Sequence, residues 1–244
     1  MARPFVLKNF AYAHRGLWTE GGLPENSLGS FRAAAEAGLG IEFDLRPSAD
    51  GEVMVFHDPV LGRMTGTAGH FDALTAEALA GFRLAGTEEP VPAFGDLLGL
   101  WPAELPMLAE MKIDRDTDPA AFAARVGAQL MAWPGLAAAM SFSEAAVRAL
   151  PEGLMRGQLV YPSEHAGEER FAAIAARAIE DGIDYLAVHH TDITRAAAVV
   201  AGREVPVVVW TVRSEAELAA VTPYRPALIF EHFDPALALA ALTP

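Results

Sequence analysis

The first quarter of the chain carries residues whose types suit proton transfer and the binding of ions. His14 and His57 can each move a proton near neutral pH, because an imidazole titrates in that range. Glu42 and Asp44 lie two residues apart in an apolar stretch and offer the oxygen ligands that a hard divalent cation prefers. Arg15, directly after His14, presents a planar guanidinium that suits phosphate oxygens. This set predicts acid–base chemistry on a metal-bound phosphodiester.

A second pair of charged residues lies further along the chain, in another apolar run. Glu110 and Lys112 are two residues apart, and side chains alternate across a strand, so both share one face. The same alternation puts Glu42 and Asp44 on one face of their strand. Solvent exposure explains such polar faces in an antiparallel sheet, whereas both faces of a parallel barrel strand are usually buried. Glu110 is then a third candidate ligand, and Lys112 either neutralises a substrate phosphate or forms a structural ion pair.

Other polar positions give weaker signals. Asp58 follows the second of the two histidines and either orients its imidazole or begins a turn, which is the favoured interpretation. His189 and His190 are adjacent on a strand and so point to opposite faces, which disfavours a zinc site. Trp210 packs in the core or faces a substrate. Glu231 ends the last predicted strand, where a surface loop is favoured over a role in the site.

Composition limits the classes of protein that this sequence can encode. The 244 residues are 52% hydrophobic, which is enough for a sizeable core. A net charge of −14 disfavours nucleic acid and anionic membrane surfaces as partners. The chain has no cysteine, which excludes thiolate catalysis, disulfides and zinc–thiolate sites. The start, MARPFVLKNF, has no apolar signal region, and no run approaches the roughly 18 residues of a membrane span. We therefore expect a cytoplasmic protein without a membrane span.

The elements that would position these residues alternate along the chain, as short apolar runs and longer alanine-rich stretches. The predicted strands are Phe10–His14, Gly40–Arg46, Val53–His57, Pro106–Lys112, Leu136–Ser141, Leu154–Tyr161, Tyr185–Val188, Val205–Thr211 and Ala227–Phe230. The predicted helices are Ser27–Ala37, Pro119–Met131, Glu144–Leu150, Glu168–Asp181, Thr194–Ala201, Ser214–Val221 and Pro235–Leu242. Asn26 and Ser143 are predicted N-caps. About eight strand–helix units predict an α/β fold, a (β/α)8 TIM barrel.

One segment interrupts the alternation of strands and helices. Residues 51 to about 90 contain an extra predicted strand and a polar stretch with Gly62, Gly66 and Gly69. This composition indicates a small insertion after the second barrel strand. The sequence has no internal repeats, low-complexity tracts or linkers. Residues 1–244 are therefore predicted to form a single domain with the insertion at about 51–90.

These motifs, taken in their order along the chain, resemble the glycerophosphodiester phosphodiesterase family. No single motif is specific, but the ordered set is, and it is densest in residues 12–66. The resemblance rests on His14-Arg15-Gly16, Pro24-Glu25-Asn26-Ser27, Phe31, Glu42-x-Asp44, Asp50-Gly51, His57-Asp58, Thr65-Gly66, Glu110-Met111-Lys112, Ser141-Phe142 and Trp210-Thr211-Val212.

The resemblance implies a (β/α)8 barrel with a small insertion after the second strand, in agreement with the alternation of elements. It implies that Glu42, Asp44 and Glu110 hold one divalent cation, which would be Mg²⁺ or Ca²⁺, with Mn²⁺ as a further option. It also implies that His14 and His57 are the catalytic acid–base pair.

The same resemblance implies how the substrate is bound. Arg15 and Lys112 would contact the phosphate, and Trp210 would lie near the alcohol portion. The chain departs from the family in two places. Ser27 stands where the family often has threonine, and the segment Phe230–Pro235 replaces the usual Thr-Asp-x-Pro ending of the last strand. The second departure affects the floor of the pocket and the leaving alcohol.

The expected function is metal-dependent hydrolysis of small glycerophosphodiesters to glycerol 3-phosphate and an alcohol. Water and a glycerol hydroxyl both fit as the nucleophile, and either histidine fits as the acid. One alternative is a barrel phosphodiesterase acting on lysophospholipid or phosphoinositide-like diesters. Another is a non-catalytic barrel that binds phosphorylated ligands. The sequence leaves the oligomeric state open.

Overall fold

Eight parallel strands close into a barrel in the computed structural model, which describes residues 5–242. Strand β1 (Ala11–His14) pairs with both β2 (Gly40–Pro47) and β9 (Ala227–Phe230), which closes the ring. Strand β3 (Val53–Val55) is the exception, since it runs antiparallel to the end of β2. The other strands are β4 (Met107–Met111), β5 (Ala137–Ser141), β6 (Met155–Leu159), β7 (Tyr185–His189) and β8 (Val207–Val212). The predicted TIM barrel is confirmed.

Helices connect the strands around the outside of the barrel. They are α1 (Leu28–Glu36), α2 (Gly62–Thr65), α3 (Ala76–Ala80), α4 (Phe94–Leu100), α5 (Pro119–Ala132), α6 (Glu144–Ala149), α7 (Ser163–Ala166), α8 (Glu168–Glu180), α9 (Ile193–Val199), α10 (Glu215–Val221) and α11 (Pro235–Ala240). Helix α4 has no counterpart among the predicted helices, because Gly95 and Gly99 interrupt its apolar pattern. None of the helices within residues 5–242 has both the length and the apolar character needed to cross a bilayer.

Both faces of the barrel strands are buried, and this decides where the acidic residues of β2 point. Ile41, Phe43 and Leu45 pack in the layer between the strands and the helices. Glu42 and Asp44 alternate with them and so point into the barrel, where each is 1% exposed. The rest of the barrel interior is filled mainly by apolar side chains, Tyr12, Leu108, Ala138, Met140, Leu159, Tyr185, Ala187, Val208, Ala227 and Ile229.

The predicted insertion is present and has an apolar core of its own. Strand β3, α2 and α3 all lie between β2 and α4 along the chain. The rings of Phe56 and Phe71 stack with their centroids 4.7 Å apart. The core of the insertion consists of Met54, Phe56, Leu61, Met64, Phe71, Leu79, Leu84 and Val91. Because this core holds the segment against the end of β2, the residues that follow β3 are placed beside the barrel mouth.

The loop after β1 turns sharply to bring its residues back over the barrel end. Gly16 has φ of +83°, and a Cβ there would lie 2.3 Å from the Ser30 hydroxyl and 2.9 Å from the Ser30 backbone, so only glycine fits. Ser27 caps α1 by accepting a hydrogen bond from the Ser30 amide. The predicted cap Asn26 therefore lies one residue too early, whereas Ser143 caps α6 as predicted.

Candidate active site

Three carboxylates converge toward the carboxyl ends of β2 and β4. Asp44 and Glu110 are register partners across these neighbouring strands, and Glu42 precedes Asp44 on the same face. One oxygen from each of the three side chains lies within 4.8 Å of the other two, and all three residues are buried. The structure thus brings the predicted metal ligands together, and oxygen ligands of this kind suit Mg²⁺ or Ca²⁺.

Two basic side chains lie against the carboxylates. Nζ of Lys112 donates a hydrogen bond to Oε1 of Glu110 at 2.5 Å and forms an ion pair with Oδ1 of Asp44 at 2.9 Å. Nε of Arg15 lies 3.2 Å from Oδ2 of Asp44. Lys112 follows β4 directly, and Arg15 follows β1. The two cations predicted to bind phosphate therefore border the carboxylate cluster.

Asn26 holds Asp44 in place from the loop after β1. Its Nδ2 donates to Oδ2 of Asp44 at 2.8 Å, and its Oδ1 accepts from the Asp44 amide at 3.2 Å. Asn26 has φ of 55°, a left-handed conformation that asparagine tolerates better than most residues. Its side chain is therefore turned toward the site instead of capping α1.

Burial and neighbouring charges shift the pKa values of the three carboxylates in different directions. Burial would raise the pKa of Asp44, but Lys112 and Arg15 outweigh it and hold that pKa well below its usual range. Burial, reinforced by the other two carboxylates, raises the pKa of Glu42 well above its usual range. Burial also raises the pKa of Glu110. The residues fit a divalent cation, because a positive ion among them would favour the charged forms that burial opposes.

His14 ends β1 and meets a carboxylate from the last strand. Its Nδ1 lies 2.6 Å from Oε2 of Glu231, while its Nε2 lies 3.9 Å from Oε2 of Glu42. Burial lowers the pKa of His14, and the contact with Glu231 offsets only part of that effect. Glu231 is buried, so the surface loop predicted for it is wrong. The pairing of β1 with β9 brings the two residues together, and no local pattern reveals that pairing.

His57 lies two residues beyond β3 and also has a carboxylate partner. Its Nδ1 is 2.7 Å from Oδ1 of Asp58. Oδ2 of Asp58 accepts a hydrogen bond from Nε of Arg63 at 2.7 Å. Burial lowers the pKa of His57. Asp58 thus contacts the imidazole, the alternative that the sequence left open, and does more than begin a turn.

Arg63, in α2, connects the His57 side of the site with the Arg15 side. Its Nη1 and Nη2 donate to Oε2 and Oε1 of Glu25 at 2.6 and 2.7 Å. Oε1 of Glu25 also accepts from Nη1 of Arg15 at 2.8 Å. A continuous chain of charged contacts therefore runs from His57 through Asp58, Arg63 and Glu25 to Arg15. Sequence reasoning missed Arg63, because an arginine in a polar insertion carries no local signal.

A cavity of about 170 Å³ at the carboxyl end of the barrel is lined in part by His14, Arg15, Glu42, His57, Glu110 and Lys112. Its lining also includes apolar and aromatic side chains, here called the aromatic wall: Met140, Phe142, Leu159, Trp210 and Ile229. Trp210 belongs to the aromatic wall, and its ring meets Phe142 edge-on with centroids 5.7 Å apart. Strand β8 has an irregular register between Val209 and Val212, where it has one residue more than β9. This bulge explains why the consecutive residues Trp210 and Thr211 both line the cavity.

His189 is the last residue of β7, and His190 follows it. The rings of His189 and His190 are 4.3 Å apart, and Nδ1 of His189 contacts the Thr191 hydroxyl at 2.7 Å. Within residues 5–242, the grouping of acidic or histidine side chains close enough to hold a metal ion is Glu42, Asp44 and Glu110. The expectation that the two side chains point to opposite faces of a strand is wrong, because the chain leaves the strand at His190 and begins a 3-10 helix, which brings the rings together.

Many enzymes share a closed parallel barrel with charged residues at its carboxyl end, so the fold alone does not show to which family the chain belongs. The chain matches the model of the Glycerophosphoryl diester phosphodiesterase family over residues 14–230. The chain belongs to this family, and the predicted resemblance is confirmed.

Curated relatives match over part of their length. YqiK from Bacillus subtilis, an uncharacterized protein, is 34% identical over 109 residues, which cover 42% of this chain and 44% of that protein. A Mycobacterium tuberculosis protein named Probable glycerophosphodiester phosphodiesterase 2 is 38% identical over 93 residues, which cover 38% of this chain and 34% of that protein. The chain therefore spans less than half the length of these curated relatives.

Solved structures resemble the barrel over nearly its whole length. An Oleispira antarctica phosphodiesterase, solved in complex with the product sn-glycerol-3-phosphate, superposes with a TM-score of 0.78 at 21% identity, covering 96% of each chain. A glycerophosphodiester phosphodiesterase from Thermotoga maritima gives a TM-score of 0.76 at 21% identity, covering 95% of this chain and 96% of that one. At such identities the likeness shows a shared fold.

Proposed function

We propose that this protein hydrolyses glycerophosphodiesters to glycerol 3-phosphate and a free alcohol, with two histidines as acid and base and one divalent cation. The observation that carries the proposal is the cavity that His14 and His57 share with the carboxylate cluster. Family membership supports the reaction class. The product sn-glycerol-3-phosphate, bound in the related Oleispira antarctica structure, supports the glycerol phosphate half of the substrate.

Glu42, Asp44 and Glu110 are the residues that would hold the cation, as Mg²⁺ or Ca²⁺, with Mn²⁺ as a further option. When bound, such a cation supplies Lewis-acid stabilisation of charge on the phosphate oxygens. Arg15 and Lys112 border the same carboxylates and would bind phosphate oxygens directly. Binding by two basic side chains also explains how a protein of net charge −14 attracts an anionic substrate.

His14 and His57 would carry the protons of the reaction. One imidazole takes a proton from the attacking oxygen, and the other gives a proton to the leaving alcohol oxygen. Burial lowers the pKa of both side chains, which favours the neutral imidazole that accepts a proton from the attacking oxygen. The attacking oxygen belongs either to water or to a glycerol hydroxyl, which would give a cyclic phosphate first.

The aromatic wall would receive the alcohol. Trp210 and Phe142 line the cavity together with Met140 and Leu159. An apolar surface offers the alcohol few hydrogen bonds, so we expect modest discrimination among small alcohols.

Hydrolysis of glycerophosphocholine and glycerophosphoethanolamine by the purified protein tests the proposal. The protein is assayed after EDTA treatment and then with Mg²⁺, Ca²⁺ or Mn²⁺ restored. We expect release of glycerol 3-phosphate that EDTA abolishes and at least one metal restores. Turnover that is insensitive to EDTA would contradict metal dependence, while the reaction class would stand.

Two other results of the same assay would redirect the proposal. Hydrolysis of a lysophospholipid or glycerophosphoinositol in parallel reactions, without hydrolysis of the two small diesters, would favour the lipid-like substrates. Binding of glycerol 3-phosphate in calorimetry, without turnover of any diester in any metal, would favour a non-catalytic binding barrel.

A further inference from the structure

Glu231 reaches the site through the closure of the barrel. Strands β1 and β9 run parallel, with Ala13 opposite Phe230. The residues that follow them, His14 and Glu231, are therefore neighbours across the seam of the ring. Glu231 is 7% exposed, so its carboxylate is buried beside the imidazole. A buried carboxylate is costly unless it is paired or hydrogen-bonded, so the groups that contact Glu231 indicate its role.

Both carboxylate oxygens of Glu231 have partners. Oε2 lies 2.6 Å from Nδ1 of His14. Oε1 accepts a hydrogen bond from Nε of Arg213 at 2.7 Å, and Nε2 of His232 lies 3.6 Å from the same oxygen. Burial would raise the pKa of Glu231, but His14 and Arg213 outweigh it and lower that pKa to about 2. Glu231 is therefore ionised throughout the range in which the protein would work.

The ionised state of Glu231 decides which nitrogen of His14 carries the proton. A carboxylate only accepts hydrogen bonds, so the proton of the short contact is on Nδ1. A neutral imidazole that is protonated on Nδ1 has an unprotonated Nε2. Nε2 of His14 lies on the side of the carboxylate cluster, 3.9 Å from Oε2 of Glu42. The free lone pair is then presented to the cavity.

We propose that Glu231 is a positioning residue that holds His14 in the tautomer with the proton on Nδ1 and Nε2 free for proton transfer. The catalytic consequence rests on the proposed function, whereas the tautomer itself does not.

Nitrogen NMR of the histidine side chains tests the tautomer without any assay of activity. Long-range ¹H–¹⁵N correlation spectra at about pH 8, above the ordinary imidazole pKa of about 6.5, report which ring nitrogen is protonated. A His14→Asn variant identifies the His14 signals. We expect Nδ1 protonated and Nε2 unprotonated in the wild type, and a mixture of tautomers in Glu231→Gln, because an amide can either accept or donate.

Glu217→Gln is the matched control. Glu217 accepts a hydrogen bond from the Arg213 amide at 2.6 Å. Its replacement therefore removes the same charge, but one contact further from His14. We expect its His14 spectrum to match the wild type. A wild-type His14 protonated on Nε2, or an unchanged tautomer in Glu231→Gln, would overturn the proposal even if the variants differ in stability.

Kinetics test the consequence for the reaction. We expect Glu231→Gln to lower kcat at least about tenfold with KM changed less than about twofold, since proton transfer and not substrate binding is disturbed. In a His14→Ala background, Glu231→Gln should cost no more than about twofold, because a residue acting through His14 has nothing left to position. Additive losses would show a merely structural role. A wild type with the expected tautomer but no turnover would refute the proposed function and leave Glu231 as assigned.

Discussion

The two histidines of the site are held in a similar way by residues from different elements. Nδ1 of His14 contacts Glu231 at 2.6 Å, and Nδ1 of His57 contacts Asp58 at 2.7 Å. Each carboxylate also accepts a hydrogen bond from an arginine. Arg213 donates to Glu231, and an arginine of the insertion donates to Asp58. Such contacts fix the orientation of an imidazole ring, on which the proposed proton transfer would depend.

Replacing His57 with alanine should lower kcat at least about 10²-fold, which is the usual contribution of a positioned acid or base. The measurement is kcat with saturating glycerophosphocholine and the restoring metal. His165→Ala serves as the control, because that side chain is 74% exposed and its Nδ1 lies 3.5 Å from a neighbouring carboxylate. A folded His57→Ala protein that turns over at the wild-type rate would remove His57 from the mechanism.

Much of the site could be predicted at the residue scale, because strand alternation and register determine its centre. Glu42 and Asp44 must share a face of β2, and Glu110 falls opposite Asp44 once β2 and β4 pair. Glu231 could not be predicted in the same way, since its contact with His14 exists only after the barrel closes. The catalytic and binding roles of these side chains stay predictions until they are tested in solution.

At the scale of elements, the insertion contributes more than a cover for the barrel end. It carries His57 and Asp58 after β3 and Arg63 in α2. Arg63 is 47% exposed, yet it makes two hydrogen bonds to Glu25 and two to Asp58. The sequence predicted the insertion from an extra strand and a polar stretch that contains glycines. It did not indicate this bridge, which requires the segment to fold back over the loop after β1.

Arg63→Met should lower kcat/KM about tenfold or more, because Asp58 loses the partner that holds it against His57 and Glu25 loses one of its two arginines. Arg83→Met is a matched control in the same insertion, since Arg83 bonds only to backbone carbonyls of residues 80–82 in the described contacts. Steady-state kinetics of both variants, with circular dichroism to check folding, measure the difference. Equal effects of the two substitutions would show that the bridge has no part in the reaction.

At the scale of the whole molecule, the ring of strands determines what the sequence can reveal. Short apolar runs predict the number of strands, because burial on both faces of a strand is a local pattern. Their alternation with helical stretches predicts that the strands run parallel. Closure between β1 and β9 joins residues that are more than 200 positions apart, such as His14 and Glu231. The contacts that hold the histidines therefore become visible only in the folded barrel. That residues 1–244 form a single domain stays a prediction.

The charged network should also make the stability of the whole barrel depend on pH in a defined direction. Burial would raise the pKa of Glu25, but Arg63 and Arg15 outweigh it and hold that pKa below its ordinary value of 4.5. A carboxyl group whose folded pKa is lowered stabilises the protein above the unfolded pKa. That stabilisation is lost as the pH falls through the folded pKa, because the folded state resists taking up the proton.

Glu25→Gln isolates this contribution, since arginines do not titrate in the same range and every other group is common to both proteins. We expect the wild type to exceed the variant by about 1 to 3 kcal/mol in free energy of unfolding at neutral pH, the size of hydrogen bonds to a charged group. The difference should hold down to about pH 4.5 and shrink below it. Urea unfolding of both proteins in steps from neutral to about pH 3.5 measures it. A difference that stays constant to the lowest pH would mean that Glu25 gains no net stabilisation from the two arginines.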